Sequence, residues 1–263
     1  MNFEALCKQV IEIAKSVGQF IKEESTEFNS NQIEYKGLND MVSYVDKTSE
    51  ARIIEALSKI LPSAGFIAEE GVNNHQAVTF NWIIDPLDGT TNFIHGIPTY
   101  AVSIALQEAD ELVLGVVYEV QREECFYAWK GSSAFLNGQQ IRVSENTELK
   151  NTLIATGFPY YDFKRKNAYI NLFTDVMQKC HGLRRIGAAS VDLVYTACGR
   201  FDAYFEYNLK PWDIAAGLFI VQQAGGEIFD FEGGKDALKK CDIVATNGKI
   251  SNELNEIIYQ YFK

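Results

Sequence analysis

The stretch Ile83-Ile84-Asp85-Pro86-Leu87-Asp88-Gly89-Thr90-Thr91-Asn92-Phe93 puts two carboxylates where an apolar run gives way to turn and helix-cap residues. The apolar part favours a buried strand, and the Pro, Gly and paired Thr favour a turn opening into a short helix. The acids then lie at a strand's carboxyl end, where open α/β sheets tend to bind ligands. Two more acidic sites have the same placement at the end of an element: Glu69-Glu70 after "FIA", and Asp213 in "KPWDIAAG". Hard divalent cations need several oxygens converging from segments distant in sequence, which these three clusters can supply together. Gly89, Thr90 and Thr91 add backbone N–H groups and hydroxyls at a helix N-terminus, whose partial positive charge favours an anion. The chemistry suggested is that of a metal beside a phosphate.

Each cluster also has a plain structural reading. Glu69-Glu70 fits a solvated turn, Asp88-Gly89 a β-turn, and Asp213 a helix N-cap. In a strand neighbouring side chains face opposite ways, so of Glu69 and Glu70 only one is expected to point into a given cleft. A calcium-binding EF-hand loop with Gly89 at its sixth position puts Ile84 and Pro86 at the first and third, where acids are required, so that template fails. A strand-borne "DxDxT", whose first Asp becomes phosphorylated in haloacid-dehalogenase-type phosphatases, has one residue between its acids; two separate Asp85 from Asp88.

Elements must be found to position these residues. The 263-residue chain is 47% hydrophobic, enough for one large domain or two intimate halves. An amphipathic helix is expected over 3–24 and another over 47–61, ending before Pro62. The runs "FIAEE", "NWIID", "YAVSIAL", "LVLGVVYEV" and "ECFYAW" follow without helices between them, which suggests an antiparallel sheet. Beyond about residue 150 the pattern alternates: strand "LIATGF", helix near 165–180, strand "RRIG", helix 189–199, strand "DAYFEYN", helix 213–224, strands "GEIFDF" and "DIVATN", helix 250–262. No linker or repeat divides the chain, so two interlocked subdomains are expected, 1–148 carrying the main acidic motifs and 149–263 supplying Asp213.

The formal net charge of −11 argues against nucleic acid or an anionic membrane as partner. A small phosphate remains compatible if cations sit between it and the carboxylates. The start "MNFEALCKQVIEIAK" lacks a signal-peptide pattern and no apolar run reaches membrane-spanning length, so a cytoplasmic protein is expected. Five scattered cysteines read as reduced thiols, and three dispersed histidines do not form a zinc pattern, so any metal is expected on oxygen.

"WIIDPLDGTTNFIHGIP", with upstream "FIAEEG" and downstream "KPWDIAAGLFIVQQAGG", resembles the inositol monophosphatase family of magnesium-dependent, lithium-sensitive phosphatases. The likeness extends from Lys36 to about Gly226 with the motifs in order. It implies an α+β fold layered as an α-β-α-β-α sandwich, a cleft between the halves, usually a homodimer, and two to three Mg2+ per active site. By position it implies Glu69, Asp85, the Leu87 carbonyl, Asp88 and Asp213 as metal ligands, with Glu69 and a Thr90–Asp46 pair steering a metal-activated water. Gly89, Thr90 and Thr91 match the phosphate turn, with Asp88 alongside. Lys36 matches a basic residue near the phosphate; Glu206, Gly187 and Ala189 match contacts to the polyol. The implied reaction is hydrolysis of myo-inositol 1-phosphate or a similar polyol or sugar phosphate, without a phosphoenzyme. NADP(H) 2′-phosphatase or fructose-1,6-bisphosphatase activity is the alternative, as sole or second activity, and a non-catalytic metal- or phosphate-binding regulator is a third reading. Ala68 where Gly is usual, Ser43 where Thr is usual, and "GAASVD" for the animal enzymes' "GTAAVN" depart from the family pattern, the last at the substrate contacts.

Overall fold

Side-chain alternation along the central strands sorts the core into layers. The computed structural model describes residues 1–27, 33–37, 40–71, 74–159 and 163–262, without the side chains of 33–37 and 40–42. Helix α1 (Phe3–Glu27) is followed by the hairpin β1 (Ile33–Gly37) and β2 (Asp40–Ser43), then α2 (Tyr44–Ile60), β3 (Gly65–Ala68), β4 (Phe80–Asp88) and the short α3 (Thr90–Ile94). Next come β5 (Ala101–Glu108), β6 (Glu111–Glu119), β7 (Glu124–Trp129), β8 (Ala134–Leu136) and β9 (Gln139–Ile141). The remainder is β10 (Leu153–Thr156), α4 (Lys166–Lys179), β11 (Gly182–Arg184), α5 (Ala189–Ala197), β12 (Ala203–Glu206), α6 (Pro211–Gln223), β13 (Glu227–Phe229), α7 (Ala237–Lys240), β14 (Ile243–Thr246) and α8 (Ser251–Phe262).

Strands β3 to β9 form a seven-stranded sheet in sequence order; a five-stranded sheet has the order β11-β10-β12-β14-β13. On one face of the large sheet Trp82, Ile84, Val102, Ile104 and Val116 pack with α1 and α2. On the other, Ile83, Ala105, Val117 and Phe126 pack against Val191 and Leu193 of α5 and Ile214, Ala216 and Ile220 of α6. The same helices meet Ala155, Tyr204, Ile243 and Ala245 of the small sheet, whose opposite side carries Ile154, Phe205 and Val244 against α4 and α8. The result is an α-β-α-β-α sandwich, as the resemblance implies. Helix α6 is buried along most of its length, as befits a helix between two sheets. Gly115 lets it approach, since a Cβ there would stand 2.7 Å from the Ala216 carbonyl oxygen.

Three local expectations are corrected. The large sheet is mixed, because β3 and β4 are parallel. After β3 the chain returns along its outer edge, with Phe66 N–H donating to His75 O at 2.6 Å, so β4 starts again from the same end. Helix α2 begins three residues early, because Ser43 and Asp46 close a capping box around its first turn. The strand expected at "RRIG" is Gly182–Arg184 instead, and 185–188 lead into α5. No described helix is long and apolar enough to cross a membrane. All five cysteines are free; Cys7 and Cys125 are buried.

Candidate active site

The carboxylates gather because β4 is irregular at the right place. In a regular strand residues 85 and 88 would face opposite sides. Here Asp85 pairs with Ser103 and Asp88 with Ala101, so three steps on β4 match two on β5, with the register shift between the acids. This bulge turns both acids toward the α5/α6 side and accommodates Pro86, which has no N–H for the ladder. The opening motif is thus a bulged strand end rather than a strand followed by a free turn. Asp85 Oδ1 accepts from Leu87 N–H at 3.0 Å. Gly89 follows at φ +90°, a conformation that favours glycine, and begins α3. A Cβ on Gly89 would stand 3.0 Å from Thr99 O and 3.2 Å from Ala188 Cβ.

Thr90, the first residue of α3, has its hydroxyl 3.0 Å from both Asp46 Oδ1 and Leu87 O. Asp46 is buried, and its Oδ2 accepts from Ser43 N–H at 2.8 Å and Ser43 Oγ–H at 2.6 Å. Burial pushes its carboxyl above the usual range, against these hydrogen bonds. Thr91, half-buried, occupies the same first turn.

Glu69 and Glu70 lie beyond β3 in a bend, so strand alternation does not separate their roles. Glu70 N–H donates to Glu50 Oε2 at 2.7 Å. Glu69 turns to Asp85, and the two carboxyls share a hydrogen bond. Burial, then the nearby charge of Asp213, holds Glu69 well above its ordinary range; burial, then Glu69, Asp88 and Asp213, does the same for Asp85. Asp213 stands at the third position of α6, where its Oδ2 accepts from Lys210 N–H at 2.7 Å, so it is not the N-cap itself. Its carboxyl is pushed up to about 8, by burial first and then by Asp88.

Residues from the second half complete the surroundings. Asp88 Oδ2 accepts from both the N–H of Ser190, at 2.7 Å, and its hydroxyl, at 2.5 Å. Glu206 is buried, accepts from Tyr204 O–H at 2.5 Å, and is pushed up to about 7 chiefly by that burial. Gly187, at φ +94°, would carry a Cβ 2.6 Å from Arg185 Nη1 and 3.2 Å from the Asn92 amide, and Ala189 is buried at the start of α5. Burial raises the carboxyl of Asp88 as it does that of Glu206, and the positive charge of Arg185 works against the rise at both, so that charge lies beside the acids. The backbone of Lys36 is in β1, but its side chain lies outside the described residues.

Two residues at this junction were not legible as site residues. Ser190 lies in the first turn of a helix after Gly187, a common place for a hydroxyl, yet nothing in the sequence points it at Asp88. Asn92 Nδ2 donates to Thr99 O at 2.8 Å and to Ile186 O at 3.0 Å, tying α3 to the loop before α5.

The donor set suits a hard divalent cation. Carboxylates from the β3–β4 connection, β4 and α6 raise one another's affinity for protons, and a cation would relieve that repulsion. The Leu87 carbonyl has a second lone pair beside the one facing Thr90. Among the described residues no three His, Cys, Asp or Glu side chains are already drawn into a closed cage, so the fit rests on the chemistry and mutual repulsion of the donors.

Residues 3–263 match the family model described as the inositol monophosphatase family. The chain belongs to that family. Membership makes it a phosphoric monoester hydrolase. It is 44% identical over 246 residues to a putative Nus factor SuhB of Neisseria meningitidis serogroup B, covering 93% of this chain and 94% of that protein. It is 38% identical over 260 residues to a fructose-1,6-bisphosphatase/inositol-1-monophosphatase of Aquifex aeolicus, covering 97% of each. Among solved structures, the extragenic suppressor protein suhB of Bartonella henselae superposes with a TM-score of 0.93 at 39% identity, over 97% of this chain and 99% of that one. The family's five-layer sandwich is thus retained from end to end.

Proposed function

We propose that the chain hydrolyses myo-inositol 1-phosphate or a similar small polyol or sugar phosphate in a magnesium-dependent reaction. The carrying observation is the convergence of Glu69, Asp85, Asp88 and Asp213 beside the Thr90–Asp46 hydrogen bond. Asp85, Asp88, Glu69, Asp213 and the Leu87 carbonyl would hold two or three magnesium ions. Magnesium, when bound, offsets the phosphate's charge and makes water a stronger nucleophile at neutral pH. The N–H groups of Gly89, Thr90 and Thr91 hold the phosphate at the start of α3. Glu69 and the Thr90–Asp46 pair orient the water and accept its proton. Glu206, Gly187 and Ala189 contact the alcohol portion. A doubly pinned Asp88, with Oδ2 engaged by Ser190, suits a ligand better than a nucleophile, which supports direct attack by water.

The dual name of the Aquifex relative keeps fructose 1,6-bisphosphate as a second candidate substrate, with NADP(H) 2′-phosphate as a third. The Neisseria relative carries a Nus-factor name, which describes a role other than hydrolysis. Here an acid stands at every expected side-chain ligand position, which favours turnover over a regulator without activity. A cytoplasmic homodimer that binds neither nucleic acid nor membrane completes the proposal; light scattering and electrophoretic mobility with RNA test the assembly and the partners. The substrate is tested by kcat/KM on a panel of inositol phosphates, fructose 1,6-bisphosphate, NADP(H) and phosphoadenosine nucleotides. The expected result is the highest value for an inositol or sugar phosphate; no turnover on any member overturns the reading.

A further inference from the structure

Ser190 is fully buried at the second position of α5, 102 residues from Asp88, and both of its donors go to one oxygen. The N–H reaches Asp88 Oδ2 at 2.7 Å and the hydroxyl reaches the same atom at 2.5 Å, while the N–H of Ala189 adds a further favourable contact. An acid of the first half therefore caps a helix of the second. Asp85 and Asp213 show a simpler version of this arrangement: one oxygen of each accepts from a backbone N–H, of Leu87 and Lys210 respectively. Among the described residues, Asp88 alone of these three also receives a side-chain hydroxyl. A backbone N–H comes with the helix whatever residue stands there, so the hydroxyl is the part that the choice of serine supplies.

We propose that Ser190 is a positioning residue for the cation site: its hydroxyl commits Asp88 Oδ2 to α5 and leaves Oδ1 as the oxygen that Asp88 offers a divalent cation. The inference rests on the reading of Asp88 as a metal ligand. With both donors present the carboxylate has one orientation, and the second half of the chain sets it. Without the hydroxyl the carboxylate keeps its hydrogen bond to the helix but gains freedom to rotate about its Cβ–Cγ bond. Partners that orient a ligand in this way typically contribute about 10–100-fold in metal affinity or activity.

The test uses the full chain and Mn2+ as the probe, titrated by isothermal calorimetry with no substrate present. Ser190→Ala removes the hydroxyl, and Ser190→Cys keeps most of the side-chain volume with a much weaker donor. Both are expected to bind Mn2+ about tenfold more weakly than wild type. Both should also need more Mg2+ for half-maximal phosphate release while approaching wild-type kcat at saturating Mg2+. Wild-type Mn2+ affinity in Ser190→Ala overturns the proposal. So does wild-type affinity in Ser190→Cys, which would assign any effect of alanine to lost packing; cysteine also carries the test if alanine does not fold. Asp88→Asn separates the two levels. Unchanged Mn2+ binding in Asp88→Asn defeats the ligand reading itself, whereas lost binding there with unchanged binding in the Ser190 variants defeats only the role of the hydroxyl.

Discussion

Thr90 has one hydroxyl proton and two acceptors, Asp46 Oδ1 and Leu87 O, each at 3.0 Å. This geometry predicts that Asp46→Asn and Thr90→Ala separate stability from activity. An asparagine at 46 can set its oxygen toward Ser43 and keep both bonds from that residue, now 2.8 and 2.6 Å. Its NH2 then donates to Thr90 Oγ1, which turns its proton to the Leu87 carbonyl. Every hydrogen bond is satisfied, and the loss is one charge in the first turn of α2, about 0.3–1 kcal/mol. Part of that loss is offset because burial already disfavours the ionised acid. Thr90→Ala instead removes the donor to a buried acid, at a cost of about 2 kcal/mol. For a chain of this size each kcal/mol moves Tm by about 2–4 °C, so Thr90→Ala should fall by about 4–8 °C and Asp46→Asn by less than about 4 °C. Activity should follow a different order. In Asp46→Asn the threonine proton faces away from residue 46 and the acid that would take a proton is gone, so kcat should fall by about a hundredfold or more. Calorimetry with a phosphate-release assay checks both. Equal destabilisation of the two variants, or near-wild-type kcat in Asp46→Asn, would refute the hydrogen-bond argument.

Other outcomes follow from the packing and the charges. Glu119 is buried, accepts from Tyr195 O–H at 2.7 Å, and has its carboxyl pushed up chiefly by burial. A raised acid adds stability below its unfolded pKa of about 4.3 and loses it as pH climbs through the folded value. The Tm of wild type minus that of Glu119→Gln should therefore shrink as pH rises from that range toward neutrality, and a pH-independent difference would contradict this. Gly115→Ala places a Cβ 2.7 Å from Ala216 O and must push α6 away, costing about 1–3 kcal/mol. Because Asp213 rides on α6, the Mg2+ needed for half-maximal activity should rise as well; an unchanged Tm would show that the contact is not tight. Lithium at millimolar order should inhibit phosphate release and EDTA should abolish it, and full activity in EDTA would remove the metal from the account.

The elements were legible because burial follows strand and helix periodicity, and most helices were found within a few residues; their stacking into five layers was implied only by the family resemblance. The edge of the large sheet was not legible. Parallel pairing of β3 and β4 goes with residues 74–79 lying back along β3, where His75 bridges Phe66, a tertiary event with no local signature. Asp85 and Asp88 could be recognised as acids at a strand end, but their three-residue spacing does not announce the bulge that puts them on one side. Proline inside the strand was the available clue, since a central strand tolerates it at a bulge. Glu69 and Glu70 were expected to separate by strand alternation; they lie past the strand, and hydrogen bonding separates them instead. Ser190 and Asn92 were missed because each acts on a partner far along the chain, and side-chain type alone does not specify such a pairing.

The central claim is that acids from both halves of the chain make one magnesium-dependent centre for phosphate hydrolysis. Asp213→Asn tests it most directly, because that acid comes from α6 while Glu69, Asp85 and Asp88 come from the first half. Release of inorganic phosphate from myo-inositol 1-phosphate should depend on Mg2+ in wild type and fall to background in the variant, with the far-ultraviolet circular dichroism of the two proteins superimposable. Wild-type turnover by folded Asp213→Asn at limiting Mg2+ would contradict the account.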